Sequence, residues 1–269
     1  MRLQGPIQKM RVSYDSPVSY ELPVGDEMLA VNSYLGRFLR LSFQGQIYCI
    51  NCHRPTKKSF NQGYCYSCFT RLAQCDLCIV KPELCHYRRG TCREPQWGER
   101  HCMVPHYVYL ANSSGLKVGI CRGTEPITRW IDQGASQGLL IRSVSSRYES
   151  GLAEVAYKSY IADRTDWRKM LQGTPQRLDL VRERDRLFER YRREHPSEQL
   201  PGVEQIETEP RSIDYPVLQY PRKVASHNLD KKGLLQGTLL GIKGQYLILD
   251  KCVINLRKYA GYDLLFESE

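Results

Sequence analysis

Two Cys-x2-Cys hooks, Cys49-Ile-Asn-Cys52 and Cys65-Tyr-Ser-Cys68, stand twelve residues apart and constrain this chain more than any other feature. Each hook turns tightly enough to aim both sulfurs at one point, so the pair can surround a tetrahedral ion with thiolates at about 2.3 Å. Four merely buried cysteines would need no paired spacing. Nine of the 11 cysteines fall between Cys49 and Cys102. The later members, Cys75, Cys78, Cys85 and Cys92, offer a second metal site, with His86, Cys102 and His106 as alternative ligands. Structural Zn2+ is the expected ion at one or both sites, and an iron–sulfur cluster is the alternative at the second. Gly90, Pro95 and Gly98 interrupt this stretch, so a bound metal has to offset the entropy of ordering it.

Clustered thiols without an apolar leader point to the reducing cytoplasm, where metal binding rather than disulfide pairing is usual. No apolar run reaches the roughly 18–20 residues of a membrane span. A surplus of 39 Lys and Arg over 29 Asp and Glu favours polyanionic partners. That surplus is concentrated, since no acid occurs between Met28 and Cys75. The same stretch carries Arg37, Arg40, Arg54, Lys57, Lys58 and Arg71 among Tyr34, Phe38, Phe43, Tyr48, Phe60, Tyr64, Tyr66 and Phe69. Cations that displace counterions, beside rings that stack on unpaired bases, make this an expected DNA or RNA contact.

The pattern predicts an α+β chain. Residues 1–48 read as a β-rich segment, with a hairpin turn at Gly45, and residues 49–106 as the Cys-rich metal region. Residues 107–172 read as strand, turn, strand and two helices, the second over 151–163. Residues 173–222 form a charged helix, 176–195, and an extended connector with Pro196, Pro201, Pro210, Pro216 and Pro221. Residues 233–269 return to short strands with Gly turns, a small antiparallel sheet or barrel that the 1–48 strands can complete.

Within 107–172, Tyr109 and Lys117 fall on paired strands, Arg129 on the next helix and Glu154 on the one after. An Arg steadies charge on a phosphate under attack, a Glu holds a divalent cation, and a Lys or Tyr can take a proton from water. The runs Tyr107-Val-Tyr109, Lys117-Val-Gly119 and Arg129-Trp130, followed by Glu154, resemble the GIY-YIG nuclease superfamily over about sixty residues, Tyr107 to Trp167. The first motif opens on Tyr107 instead of glycine, the second on Lys117 instead of tyrosine, and Asp166 stands near the place of the family's late asparagine. The resemblance implies a β-hairpin-plus-helices domain that cuts phosphodiester bonds. In it Tyr109 or Lys117 activates the nucleophile, Arg129 steadies the phosphate, and Glu154 holds Mg2+ or Mn2+. A non-catalytic DNA- or RNA-binding zinc module is the alternative. Over its whole length the chain also resembles an uncharacterised bacterial family, through the runs Thr56–Cys65, Leu72–Cys78 and Trp130–Ala135.

Overall fold

A computed structural model describes residues 1–123, 126–204 and 209–268. Residues 205–208 of the expected connector, and residue 269, lie outside the described residues. The fold is mixed α+β, divided into two compact units: residues 1–70, 171–173 and 213–269 form unit 1, and residues 71–170 and 174–212 form unit 2. No described helix is long and apolar enough to cross a membrane.

Unit 1 begins with β1 (Arg2–Pro6), β2 (Arg11–Ser13), β3 (Ser19–Val24), β4 (Glu27–Ala30), β5 (Phe38–Tyr48) and β6 (Pro55–Thr56), then α1 (Tyr66–Arg71), whose last residue already belongs to unit 2. Strands β2, β3 and β4 form a three-stranded meander. The hairpin expected at Gly45 does not form, because β5 runs straight through it for 11 residues. Gly45 has φ +82, and three residues of β5, Gln44 to Gln46, stand opposite Asp263 alone on the C-terminal strand there. The glycine therefore marks a bulge that bends a continuous strand, a use of positive φ that sequence cannot separate from a turn.

Unit 2 contains α2 (Pro95–His101), β7 (His106–Asn112), β8 (Leu116–Arg122), α3 (Pro126–Asp132), β9 (Gln137–Val144), α4 (Arg147–Tyr157), the start of α5 (Trp167–Gln172), α6 (Leu180–Glu194), β10 (Val203–Glu204) and β11 (Arg211–Ser212). Strand β7 is central, antiparallel to both β8 and β9. Strand β9 was absent from the expected pattern, since Gly138-Leu-Leu-Ile141 has no period-2 alternation. It is buried along nearly its whole length, and such strands read as plain apolar runs. On its outer edge β9 pairs with β10 and β11, so the proline-rich connector is partly strand. Helix α4 starts four residues before the expected Gly151, at Arg147, and is capped by Ser146, whose hydroxyl accepts from the Glu149 N–H. Gly151 is an interior contact instead: a Cβ there would lie 2.5 Å from the backbone nitrogen of Glu83. Helix α6 closes the core, with Leu180, Leu187, Phe188 and Tyr191 buried against Val108, Leu139, Ile141 and Tyr157. Its arginines solvate the outer face, with pairs such as Arg190–Glu194 at 3.0 Å.

The chain returns to unit 1 with β12 (Leu234–Lys243), β13 (Tyr246–Leu249), β14 (Val253–Asn255) and β15 (Tyr262–Ser268). The sheet order β1-β15-β5-β12-β13-β14 interleaves both ends of the chain, with β6 added at the far end of β5. Strand β5 is thus held on both sides, and its final residue, Tyr48, delivers the chain into the first cysteine hook.

Candidate metal centre and buried lysine–glutamate site

The first hook is anchored by backbone bonds. The Cys49 N–H donates to the Arg54 carbonyl at 3.0 Å, and β6 folds back on β5 through Ile47–Thr56 and Tyr48–Pro55. The second hook leads directly into α1, which carries Cys68. The sulfurs of Cys49, Cys52, Cys65 and Cys68 all lie within 4.8 Å of one another, and Cys52 and Cys65 are 3.8 Å apart. Four thiolates at about 2.3 Å from a tetrahedral ion stand roughly 3.8 Å apart, so this group could hold a metal such as zinc. Burial alone would raise the Cys49 thiol, but backbone N–H groups of Cys52, Cys65 and Asn51 bring it down to about 6. Burial pushes Cys68 the other way, to about 12, with the Cys65 side chain adding to the shift. A cation at the centre would favour the thiolate at all four.

Arg54, Lys57 and Lys58 are exposed on the loop between the hooks. Phe60 stacks on Phe69 at 5.6 Å and meets Tyr66 edge-on at 5.5 Å, with the Lys58 ammonium 5.2 Å above the Phe60 ring. Tyr66 is 64% exposed despite these contacts. Arg37 and Arg40 are also exposed in unit 1, at the turn before β5 and on β5 itself, whereas Arg71 begins unit 2. Tyr34 is instead core, packed on Phe266, and Phe43 packs on Tyr262.

In unit 2, Cys78, Cys85 and Cys92 line one cavity together with Cys102. Cys75 is buried on the 3₁₀ turn Ala73–Cys75 and is not among the residues lining that cavity. His106 is also apart from it: the ring is buried on β7, with Nδ1 2.7 Å from the Val104 carbonyl, and burial lowers its pKa to about 4.

The four residues of the nuclease-like pattern converge in one electrostatic neighbourhood. Tyr109 on β7 is fully buried, opposite Gly119 on β8, where a Cβ would lie 2.6 Å from the tyrosine hydroxyl. The Tyr109 hydroxyl donates to Gln133 Oε1 at 3.1 Å, and the Lys117 ammonium donates to the same oxygen at 2.8 Å. Burial lowers Lys117 to about 8, with Arg129 adding to the fall and Glu154 and Asp163 opposing it. Burial raises the Glu154 carboxyl; Lys117 opposes this and Asp163 adds to it. Burial pushes Tyr109 up to about 12. Arg129 is exposed midway along α3, close enough to act on Tyr109, Lys117 and Glu154. Two further members, Gln133 and Asp163, had no assigned role in the sequence reading. Gln133 lies inside the run Trp130–Ala135, and Asp163 follows Ala162, whose carbonyl accepts from the Val118 N–H at 2.8 Å.

No curated protein and no solved structure matches the chain. A family model described as a protein of unknown function, DUF2797, matches residues 36–264, and the chain belongs to that family.

Proposed function

We propose that this chain is a zinc-binding protein that grips DNA or RNA and cleaves its phosphodiester backbone with one divalent cation, at a GIY-YIG-like site in unit 2. The observation that carries the reading is Lys117: a lysine 5% exposed, hydrogen-bonded to Gln133 Oε1 at 2.8 Å, lowered to about 8 by burial and within electrostatic reach of Glu154, has the protonation behaviour of a general base near neutral pH. Tyr109, pushed up to about 12, is unsuited to that task and positions Gln133 instead. Support also comes from the β7–β8 hairpin followed by α3 and α4, the hairpin-plus-helices arrangement that the nuclease resemblance implies, with β9 inserted between the two helices. Mg2+ or Mn2+ bound through Glu154 would supply Lewis-acid stabilisation of the phosphate. Arg129, exposed beside this cluster, has the reach and charge to hold a non-bridging phosphate oxygen.

Glu154→Gln removes the cation ligand but keeps the side chain's volume. With labelled single-stranded DNA, duplex DNA and RNA in Mg2+ or Mn2+, the wild type cleaves at least one substrate and the variant none, while both bind equally in gel shift. Failure of the wild type to cut all three in either metal refutes the nuclease reading. The loop cations account for the grip. Changing Arg54, Lys57 and Lys58 together to alanine weakens binding at least tenfold, and flattens the dependence of log Kd on log salt by about three phosphate contacts. An unchanged slope places the nucleic acid elsewhere.

A further inference from the structure

We infer that unit 2 binds a second zinc ion, in the cavity that Cys78, Cys85, Cys92 and Cys102 share with His86, and that Cys78 and the His86 imidazole are two of its ligands. Two of the other three thiolates complete the tetrahedron, and Cys75 takes no part. This assignment does not depend on the nuclease reading, because it rests on the cavity alone. The space these side chains enclose is about 10 Å³, room for one atom of water's size. A single ion fits there and the eight atoms of an iron–sulfur cubane do not, so the cluster expected as the alternative gives way to a mononuclear centre. Thiolates and an imidazole are the donor set that suits zinc rather than Mg2+ or Ca2+.

The donor atoms of Cys78, His86 and Asp76 lie within 4.8 Å of one another. A thiolate and an imidazole on one tetrahedral zinc stand about 3.6 Å apart, so small side-chain rotations close the gap. His86 is already held as a ligand is. Its Nδ1 lies 2.8 Å from the Thr91 hydroxyl, whose own hydrogen goes to the His86 carbonyl at 3.4 Å. Thr91 therefore accepts from Nδ1–H and leaves the lone pair on Nε2, the tautomer that metal-binding histidines take. Asp76 Oδ2 accepts from Arg93 Nε at 2.7 Å and lies 3.5 Å from His86 Nε2. Two lone pairs thus face each other across 3.5 Å, an arrangement that a cation in the cavity relieves. On the far wall, a Cβ at Gly98 would meet the Tyr87 ring at 2.9 Å and the Cys92 sulfur at 3.4 Å, so glycine makes room for that thiol. The Gly98 carbonyl accepts from the Cys102 N–H at 2.7 Å and holds the end of α2 beside it.

The ion would brace the Glu154 helix. Cys78 lies in the 3₁₀ turn Leu77–Ile79, His86 just before the turn Tyr87–Arg89, and Cys102 at the end of α2. Apolar burial does little to hold these turns, since Leu77, Val80 and Leu84 are exposed, so a metal has to offset their ordering entropy. The Arg147 N–H donates to the Cys102 carbonyl at 2.8 Å, the Arg147 guanidinium donates to the Ile79 carbonyl at 2.6 Å, and Gly151 lies flat against Pro82 and Glu83. These contacts tie the first two turns of α4 to the loops the ion closes.

Full-length protein purified without added metal tests the assignment by elemental analysis and zinc X-ray absorption. The expected preparation holds about two zinc ions per chain, with about seven sulfur ligands and one imidazole between them. Cys78→Ser and His86→Ala each fall to about one zinc. Both speed hydrogen exchange in residues 76–102 and the first two turns of α4, while residues 49–70 stay protected. Cys75→Ser keeps both ions. His86→Cys also keeps both, now with sulfur ligands only, which separates a lost ligand from a chain that fails to fold. Only about one zinc in the wild type, sulfur-only coordination there, or both ions retained by His86→Ala or Cys78→Ser overturns the inference, as does loss of an ion from Cys75→Ser or His86→Cys.

Discussion

Lys117→Met is expected to raise the thermal stability of this protein while reducing the phosphodiesterase activity proposed for it by about 10²–10⁴-fold. Both effects come from the same burial. A methionine fills nearly the volume of the lysine stem and leaves Gln133 Oε1 hydrogen-bonded to the Tyr109 hydroxyl, while the buried Glu154 carboxyl, deprived of the Lys117 charge, is pushed further towards its neutral form. What disappears is a buried ammonium whose folded-state pKa is about 8, against an ordinary value of 10.5. Below pH 8 the lysine is charged in the folded and unfolded chains alike, and the folded state bears the full desolvation cost. Between pH 8 and 10.5 the folded protein releases the proton first, so this cost fades as pH rises, and above 10.5 neither state carries the charge. The gain from Lys117→Met is therefore largest at neutral pH and below, about 1–3 kcal/mol, and vanishes towards the alkaline end. In the wild type, a base that must be neutral to accept a proton makes the rate climb about tenfold per pH unit up to about 8, then level off. Denaturation midpoints at several pH values and a pH–rate profile measure both. A variant that is destabilised at pH 7, or as active as the wild type, sinks the assignment of Lys117.

What could be read from the sequence follows the range of the physics involved. The Cys49–Cys68 hooks were legible because a C-x2-C turn is local: its own backbone decides where both sulfurs point. The amphipathic stripe of α6 was equally plain, since Leu180, Leu187, Phe188 and Tyr191 recur at helical spacing and are buried. Gly45 misled because one residue type serves both turns and bulges, and only the pairing of β5 with β15 distinguishes them. Strand β9 was hidden by burial on both faces, which erases alternation. The start of α4 was hidden by Gly151, a poor helix former retained for its contact with Pro82 and Glu83. Cysteine proximity in sequence favoured Cys75 for the second group, yet a 3₁₀ turn takes it out of the cavity and α2 brings Cys102 in. The sharing of Gln133 by Tyr109 and Lys117 is a tertiary event, since the three come from two strands and the end of a helix.

Loss of the Cys49 centre should produce the largest structural effect in unit 1. With zinc as the proposed ion, Cys49→Ser combined with Cys65→Ser is expected to cost one zinc per chain and the order of residues 49–70, while β5, β12 and β15 keep theirs. The hooks have little else to hold them: β6 is two residues long, α1 six, and Phe60, Phe69 and Tyr66 form a cluster open to solvent. Structural zinc supplies about 10–16 kcal/mol of apparent binding free energy in finger peptides, far more than this small cluster can offer alone. The sheet behind it is different, because Leu39, Leu41, Leu235, Leu264 and Phe266 are buried without any help from the metal. Hydrogen exchange should therefore show protection collapsing across the hooks and persisting in β5 up to the bulge at Gly45. Acid should do the same as the double variant, since protonating the thiolates competes directly with the ion. The proposed binding of nucleic acid would fall with it, because Arg54, Lys57 and Lys58 lie on the loop between the hooks and Tyr66 lies within the second hook. Full protection of residues 49–70 in the double variant, with zinc still bound, would show that the sulfurs are packing groups rather than ligands.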